Sequence, residues 1–454
     1  MRRFILGNGT VTARVSAEFA ALLEALQFQG ADNERLLCLN DQEWRDLLEL
    51  ADLAHVTLPL AMRRTRDMPA WVINRLETNL SDNGRRFEAV YLAYSEVAAA
   101  LKKAGIDHIV LKGFTQAPEF VSDPHVRMQS DLDLYCSPGN TDAARKVLEC
   151  LGYSPLEGLD YRAADHGPTH VRRGTWVWHG NAYDPGMPPS VEIHFCLWNE
   201  AVSRVSAPGV EAFWARRRKQ VYGKYIWWAL QREDKVAFLA LHILRGVFSG
   251  DWIVHHVFEL ASFLNSSVND VEFWDQWTRL QTSAGRNMQA IGFSLAQSWF
   301  CCKLAPTALA SIEGLPERER KWLRQFSGSP LESMFRRNRD GRLLQLSMVA
   351  KRSDRQALLR RMFIPTVSRP NTLATNFENR RPVTGSGRAV ITTYLRYLLT
   401  RTAAFTRSTT EVMFHGVSLW LAGRPFSSGF WALLGACFFL TWGSLFTTSF
   451  SICI

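Results

Sequence analysis

Two aspartates and a glutamate have the spacing of a cation site. Asp131 and Asp133 lie in Ser130-Asp131-Leu132-Asp133-Leu134-Tyr135, and Glu192 lies in Val191-Glu192-Ile193-His194-Phe195. Residues two apart on a β-strand point to one face, with about 6 to 7 Å between their Cα atoms at about 3.3 Å per residue. Asp131 and Asp133 then converge, while Leu132 and Leu134 face a core. Glu192 has the same alternation on what should be a neighbouring strand, and supplies a third carboxylate. Hard divalent cations take carboxylate oxygens together with substrate phosphates, and two of them about 3.5 to 4 Å apart clamp an in-line phosphoryl displacement. Mg²⁺ or Mn²⁺ is the expected cofactor. An isolated Asp-apolar-Asp is a weak signal, equally consistent with a solvated pair at a strand end.

The order of the surrounding parts carries more. The apolar run Ile109-Val110-Leu111 ends in Lys112-Gly113, and Arg127, the Asp-Leu-Asp strand, a helix, Gly152-Tyr153 and Glu192-Ile193-His194 follow. This series resembles a poorly characterised bacterial nucleotidyltransferase family of the DNA polymerase beta-like superfamily. The resemblance covers roughly residues 52–399, with its strong motifs between Leu111 and Phe195. It implies that Asp131 and Asp133 are metal ligands and that Glu192 is the third carboxylate, which helps activate the attacking hydroxyl. Lys112 and Gly113 stand where the superfamily has a Gly-Ser pair, and Phe114 occupies the Ser place, so that hydroxyl's phosphate contact is missing. Lys112 replaces it as a point charge suited to phosphate, with Gly113 letting backbone N–H groups approach at a helix N-terminus. Arg127 and Ser130 complete the expected nucleotide-binding set, Arg127 by neutralising a phosphate or by bracing the loop before Ser130.

The elements that must position these groups follow from periodicity. Apolar residues recur at three and four through residues 17–101, which predicts helices, the last of them running from about Arg85 to Ala104 and stopped by Gly105. His55, in Ala54-His55-Val56-Thr57-Leu58-Pro59-Leu60, reads as a packed structural histidine. A strand then delivers Lys112. After the Asp-Leu-Asp strand, Thr141 is a candidate N-cap for a helix from Ala143 to Leu151 that ends at Gly152. Strands are expected around 169–171 and 175–178. His166, His170, His179 and His194 lack the compact ligand pair of a zinc site, and carboxylates favour harder ions. His194 shares a strand face with Glu192, as a substrate or supporting contact or as a buried structural group. Residues 210–304 read as helical. Within them His242 and Arg245 share a helix face, so Arg245 is a candidate substrate contact, whereas the adjacent His255 and His256 should not face each other.

With 454 residues and 47% hydrophobic content the chain can bury substantial cores. A net charge of +10 and a pI near 9.3 favour anionic partners: nucleotides, nucleic acid or an acidic membrane surface. The eight cysteines show no metal-ligand spacing, and a reducing cytoplasm is the expected location. The basic start, Met1-Arg2-Arg3, lacks the apolar run of a signal peptide. Arg336 to Arg381 is basic, but aromatic interleaving is thin and nucleic-acid binding is not favoured. Residues 365–387 read as a linker. The last stretch, 425–454, carries no charged residue and is close to the length of a spanning helix of about 20 residues. Arg396, Arg401, Arg407 and Arg424 precede it, which would leave the catalytic body on the inner face of the membrane. A helix docked on the protein body is the competing reading of that tail.

These observations predict an α+β protein with a small mixed sheet flanked by N- and C-terminal helical domains. The expected divisions are 1–84 helical, 85–205 catalytic core, 206–330 helical, 331–424 basic helical with linker, and 425–454 as the hydrophobic tail. The expected reaction moves a nucleoside monophosphate from an NTP to an unidentified acceptor. The rival readings are a non-catalytic nucleotide-binding scaffold, favoured by the missing Ser, and a membrane-tethered assembly protein of a biosynthetic cluster that depends on the tail.

Overall fold

The structure is a computed structural model that describes residues 2–6, 11–30, 33–137, 139–156, 165–172, 174, 176–336, 338–363 and 405–419. The linker at 365–387, the tail at 425–454, and Arg396, Arg401 and Arg424 lie outside the described residues. Among the described residues no helix is long and apolar enough to cross a membrane.

Among the described residues, nine strands form two sheets. β1 (Arg2–Leu6) and β2 (Val11–Val15) make a separate antiparallel pair. β3 (His108–Val110), β4 (Asp131–Cys136), β5 (Tyr153–Pro155), β6 (His170–Arg172), β7 (Ser190–His194), β8 (Arg218–Tyr222) and β9 (Tyr225–Ala229) make one mixed sheet in the order β5-β6-β7-β4-β3-β9-β8. Its parallel pairs are β4 with β7 and β3 with β9. The expected α+β class, with helices on both sides of a mixed sheet, is observed.

The sheet alternates as its pleat requires. Leu132, Leu134 and Cys136 of β4 and Val191 and Ile193 of β7 bury against Phe87, Val90, Val97 and Leu101 of the Ala70–Lys103 helix and Ala144 and Leu148 of the Thr141–Cys150 helix. Those positions recur at three, four and seven, so each helix lays one apolar stripe on the sheet. The opposite face, which carries Asp131, Asp133 and Glu192, lies under a second helical layer. Its main members are Arg232–Ser249, Val254–Ser266 and Ser283–Phe300. Ala240 and Leu260 close on Gly292 there: a Cβ on Gly292 would meet them at 3.3 and 3.2 Å.

Several local expectations need correction. The helix expected from Arg85 starts at Ala70 and runs through the turn-prone Ser81-Asp82-Asn83-Gly84, where the Asn83 side chain donates to the carbonyls of His125 and Arg127. It ends as expected: Gly105 takes φ +71, its N–H bonds the Lys102 carbonyl and the Ile106 N–H bonds the Leu101 carbonyl, the double closure of a Schellman motif. Thr141 is the first helical residue rather than the cap, and Asn140 precedes it with its side chain turned to Ser137. Residues 176–178 form no strand.

The largest correction is at β8 and β9, which lie inside the stretch expected to be helical. Tyr225, Trp227 and Ala229 are buried while Ile226 and Trp228 are exposed, a period of two that marks a strand. Gly223, at φ +55, makes the two-residue turn between the strands. The high aromatic content of the segment reflects this hairpin as well as the helices.

Two glycines on the elements that frame the site make opposite predictions. Gly341 starts the Asp340–Met348 helix, and a Cβ there would lie 1.8 Å from the Val247 carbonyl oxygen of the overlying helix. Gly341→Ala must push two backbones apart, and should cost about 2 kcal/mol or more. Gly84 lies mid-helix, with His125 the nearest neighbour of an added Cβ at 4.0 Å. Gly84→Ala should instead stabilise by about 0.5 to 1 kcal/mol. Chemical denaturation of the two variants, compared with the native chain, checks both signs.

Candidate active site

The hydrogen-bonded register of β4 and β7 sets Asp131 opposite Ser190, Asp133 opposite Glu192 and Tyr135 opposite His194. Partners in a parallel pair share a face, so Asp131, Asp133, Glu192 and His194 converge. Ligand atoms of Asp133, Glu192 and His194 all lie within 4.8 Å of one another, with Asp133 and His194 buried and Glu192 half-buried. Asp131, at the start of β4, is half-buried. Its carboxylate makes no hydrogen bond or close ion pair among the described residues.

Packing like charges on one covered face demands compensation. Lys112 Nζ lies 3.1 Å from Asp133 Oδ2, and His194 Nε2 donates to Asp133 Oδ1 at 2.9 Å. Asp165 Oδ1 lies 3.8 Å from His194 Nδ1, beyond hydrogen-bond reach, and Asp165 pairs with Arg245, which also donates to His242 Nδ1 at 3.1 Å. On the other carboxylate, Thr169 Oγ1 donates to Glu192 Oε1 at 2.6 Å and His166 Nε2 lies 3.5 Å from Oε2.

The titration behaviour follows from these contacts. Burial alone would push the Asp133 carboxyl up, but Lys112 and then His194 outweigh it and hold it well below the usual carboxylate range. Glu192 has no such cation: burial, then the charges of Asp133 and Asp131, push it up to about 7. Asp131 is likewise raised, by burial and then by Asp133. For Lys112 and His194, burial opposes the charged form but the surrounding carboxylates prevail, and both are raised. Asp133 is therefore the permanently ionised member, and Glu192 gains or loses its proton near neutrality.

The remaining sequence-predicted groups are placed as follows. The helix expected after Gly113 is a four-residue 3₁₀ turn, Gly113–Gln116, and the Phe114 N–H donates to Gln129 Oε1 at 3.0 Å. Gly113, at φ +71, makes room for that glutamine: a Cβ would lie 2.3 Å from Gln129 Nε2. Gln129 Nε2 also donates to the Asp131 carbonyl, tying the Lys112 turn to the start of β4. Arg127 forms a 2.7 Å ion pair with Glu259 of the Val254–Ser266 helix, so it braces the loop before Ser130. Ser130 is exposed at the mouth of the site. Adjacent helix residues His255 and His256 do face each other, with ring centroids 3.8 Å apart, contrary to the expectation from helical spacing. The ring of His55 packs on His255 and the ring of His242 on His256, so the pair sits between two further imidazoles.

Sequence reasoning missed Arg86, Gln129, Asp165, His166, Thr169 and Glu259. Arg86 is fully buried in the Ala70–Lys103 helix and donates to the carbonyls of Gln129, Met187 and Asp184, clamping the loops that lead into β4 and β7. An arginine in the middle of an apolar stripe was the available signal for it. Asp165 and His166 sit in an irregular segment with no period to read; only the bridge of His166 to His194 brings them to the site.

A covered carboxylate cluster on adjacent parallel strands, with a lysine and an arginine beside it, is the apparatus of an enzyme acting on phosphorus-containing groups. Residues 40–301 match the model of the family described as uncharacterised nucleotidyltransferase. That is more than half of the chain, and the protein belongs to this family: it is a nucleotidyltransferase, and its family implies an NTP substrate. No curated protein and no solved structure matches the chain.

The residues present fit a divalent cation. The Asp133, Glu192 and His194 donors converge, and the Asp131 carboxylate is open beside them. Three carboxylates and one imidazole suit a hard or borderline ion such as Mg²⁺ or Mn²⁺. Binding must displace a proton from Glu192, because a ligand has to be deprotonated. With a carboxyl near 7, the ionised fraction rises about tenfold between pH 6 and pH 8. Mn²⁺ affinity measured by calorimetry should rise by about the same factor over that range, and Glu192→Gln should flatten the dependence. Equal affinities for the native chain at pH 6 and pH 8 would remove Glu192 from the ligand set.

Proposed function

We propose that the protein transfers a nucleoside monophosphate from an NTP to an acceptor hydroxyl, with pyrophosphate leaving, in a reaction that requires Mg²⁺ or Mn²⁺. The observation that carries this reading is the β4–β7 register, which sets Asp133 beside Glu192 and leaves the neighbouring Asp131 carboxylate open. Asp131, Asp133 and Glu192 hold the cation, with His194 beside them. The cation neutralises phosphate charge and polarises the reacting oxygens.

The chain's own groups divide the remaining work. The acceptor oxygen forms a bond to the α-phosphorus as the bond from that phosphorus to the pyrophosphate oxygen breaks. Glu192, which the strand register sets opposite Asp133, takes the hydroxyl proton on the acceptor side. Lys112 stands next to Asp133 and supplies positive charge to the phosphates from the opposite edge. Ser130 offers a hydroxyl at the mouth, and Gly113 with Gln129 fixes the turn that carries Lys112. Arg127 acts through the loop that it ties to Glu259. Arg245 acts through Asp165, with which it pairs and whose charge lies beside His194. Positioning and electrostatic stabilisation supply most of the rate, as phosphoryl chemistry requires.

Pyrophosphate release from each of the four ribonucleoside triphosphates, with Mg²⁺ or Mn²⁺ and cell extract as the acceptor source, tests the proposal. Turnover should appear with at least one nucleotide. It should fall by at least about a thousandfold in Asp131→Asn/Asp133→Asn, since both cation-holding charges are gone. Equal release by the native chain and the double variant would overturn it.

A further inference from the structure

Above the carboxylate face, four imidazoles make a continuous wall. The His55 and His255 ring centroids are 4.9 Å apart, those of His255 and His256 3.8 Å, and those of His256 and His242 4.5 Å. The wall crosses from a cleft lined by His55, Arg127, His255, Phe258 and Glu259 to the interior beside Arg245. It does not have the geometry of a second metal site: among the described residues only Asp133, Glu192 and His194 bring three donor atoms together.

One member of the wall lacks what buried polar groups ordinarily have. His242 accepts a hydrogen bond from Arg245. His256 is 7% exposed, and its Nδ1 has no hydrogen-bond partner; the nearest carboxylate oxygen, Glu259 Oε2, is 3.8 Å away. Glu259 is already committed to Arg127. Leaving a buried donor or acceptor unpaired costs about 1 to 3 kcal/mol, so native structures pair such groups with protein, water or ligand. The charges that act on this imidazole are those of Lys112, Arg127, His55 and Asp133, and of these Lys112 and Asp133 stand at the phosphate and cation positions of the proposed reaction.

We propose that His256 is a phosphate-contacting residue: its unpartnered imidazole hydrogen-bonds an oxygen of the nucleotide's triphosphate from the helical side, opposite the carboxylates. This rests on the nucleotidyltransferase reading above. A phosphate oxygen is the acceptor that the surroundings select, because the charges of two cations, Lys112 and Arg127, reach the imidazole most strongly and both attract an anion placed near it. Burial first, then Lys112 and Arg127, hold the His256 pKa well below its ordinary value, with His55 lowering it further and Asp133 opposing. Burial and neighbouring positive groups likewise keep His242 and His255 neutral. The wall is therefore uncharged before the nucleotide arrives. A triphosphate changes the sign of that field, and His256 takes up a proton as the nucleotide binds.

Calorimetric titration of the full chain with α,β-methylene analogues of the four nucleoside triphosphates and Mg²⁺, in two buffers of different ionisation enthalpy, tests this. With Mg²⁺ already bound, so that Glu192 has released its proton beforehand, the native chain should bind at least one analogue with net proton uptake at pH 7. His256→Asn keeps a hydrogen-bond donor that cannot be charged; it should weaken binding by at least about tenfold, the range for a hydrogen bond to a charged group, and lose the proton uptake. His256→Gln, with its thermal melt recorded beside the native one, guards against a folding defect and should behave as the Asn variant does. Native-like affinity and native-like proton uptake in both variants would overturn the inference and leave the transferase reading standing. Weakened binding of the uncharged nucleoside alone to the same degree would also overturn it, since the contact would then be to base or sugar. No binding of any analogue by the native chain would overturn both.

Discussion

Three carboxylates on one covered sheet face set the terms for the rest of this molecule. Brought together without cations, Asp131, Asp133 and Glu192 would repel one another and resist burial. The fold answers asymmetrically. Asp133 receives both Lys112 and His194 and is held ionised, whereas Glu192 receives only a hydroxyl and a distant imidazole and stays near its titration point. Two neighbouring acids of similar type thus acquire different behaviour from their partners alone, the kind of separation that assigns roles in acid–base chemistry.

The compensation extends outward in layers, each fixing the one inside it. His194 lies beside Asp165, Asp165 pairs with Arg245, and Arg245 belongs to the Arg232–Ser249 helix. On the other flank, Arg127 of the loop before β4 is fixed by Glu259 of the Val254–Ser266 helix. The helical layer is therefore joined to the sheet through charges at two points, as well as through its apolar core. From the opposite face, Arg86 collects the carbonyls of the two loops that enter β4 and β7 and keeps their strands in register. The carboxylate geometry depends on that register, because a slip of one residue would turn Asp133 away from Glu192.

What the sequence disclosed and what it hid divide along physical lines. Asp131, Asp133, Glu192 and His194 were legible because a strand has a strict period of two, and the structure places all four on one face. Lys112 was legible as charge at the end of an apolar run, although its closest partner, Asp133, was not foreseen. The roles assigned to these residues rest on the proposal, while their convergence is observed. Asp165 and Glu259 were hidden, since their importance comes from contacts 29 and 132 residues away in sequence. The β8–β9 hairpin was hidden differently: its aromatic alternation is only five residues long and lies among strongly helical segments. The length of the Ala70–Lys103 helix was underestimated because Asn83-Gly84 reads as a turn in sequence, whereas tertiary contacts of Asn83 carry the helix through it.

The hairpin has a consequence for how the protein comes into being. β3 and β4 pair early in the chain, yet the other side of β3 is taken by β9, whose Ala229 pairs with Val110. A chain elongating from its N-terminus thus exposes the β3 edge, already next to the complete Asp-Leu-Asp strand that ends at Cys136, until the chain has been extended to Ala229 at the end of β9. Parallel pairings of such wide separation are slow to form, and open strand edges attract other chains. The centre of this sheet is consequently an interval of vulnerability during synthesis, and the hairpin, which holds none of the site's carboxylates, is what brings it to an end.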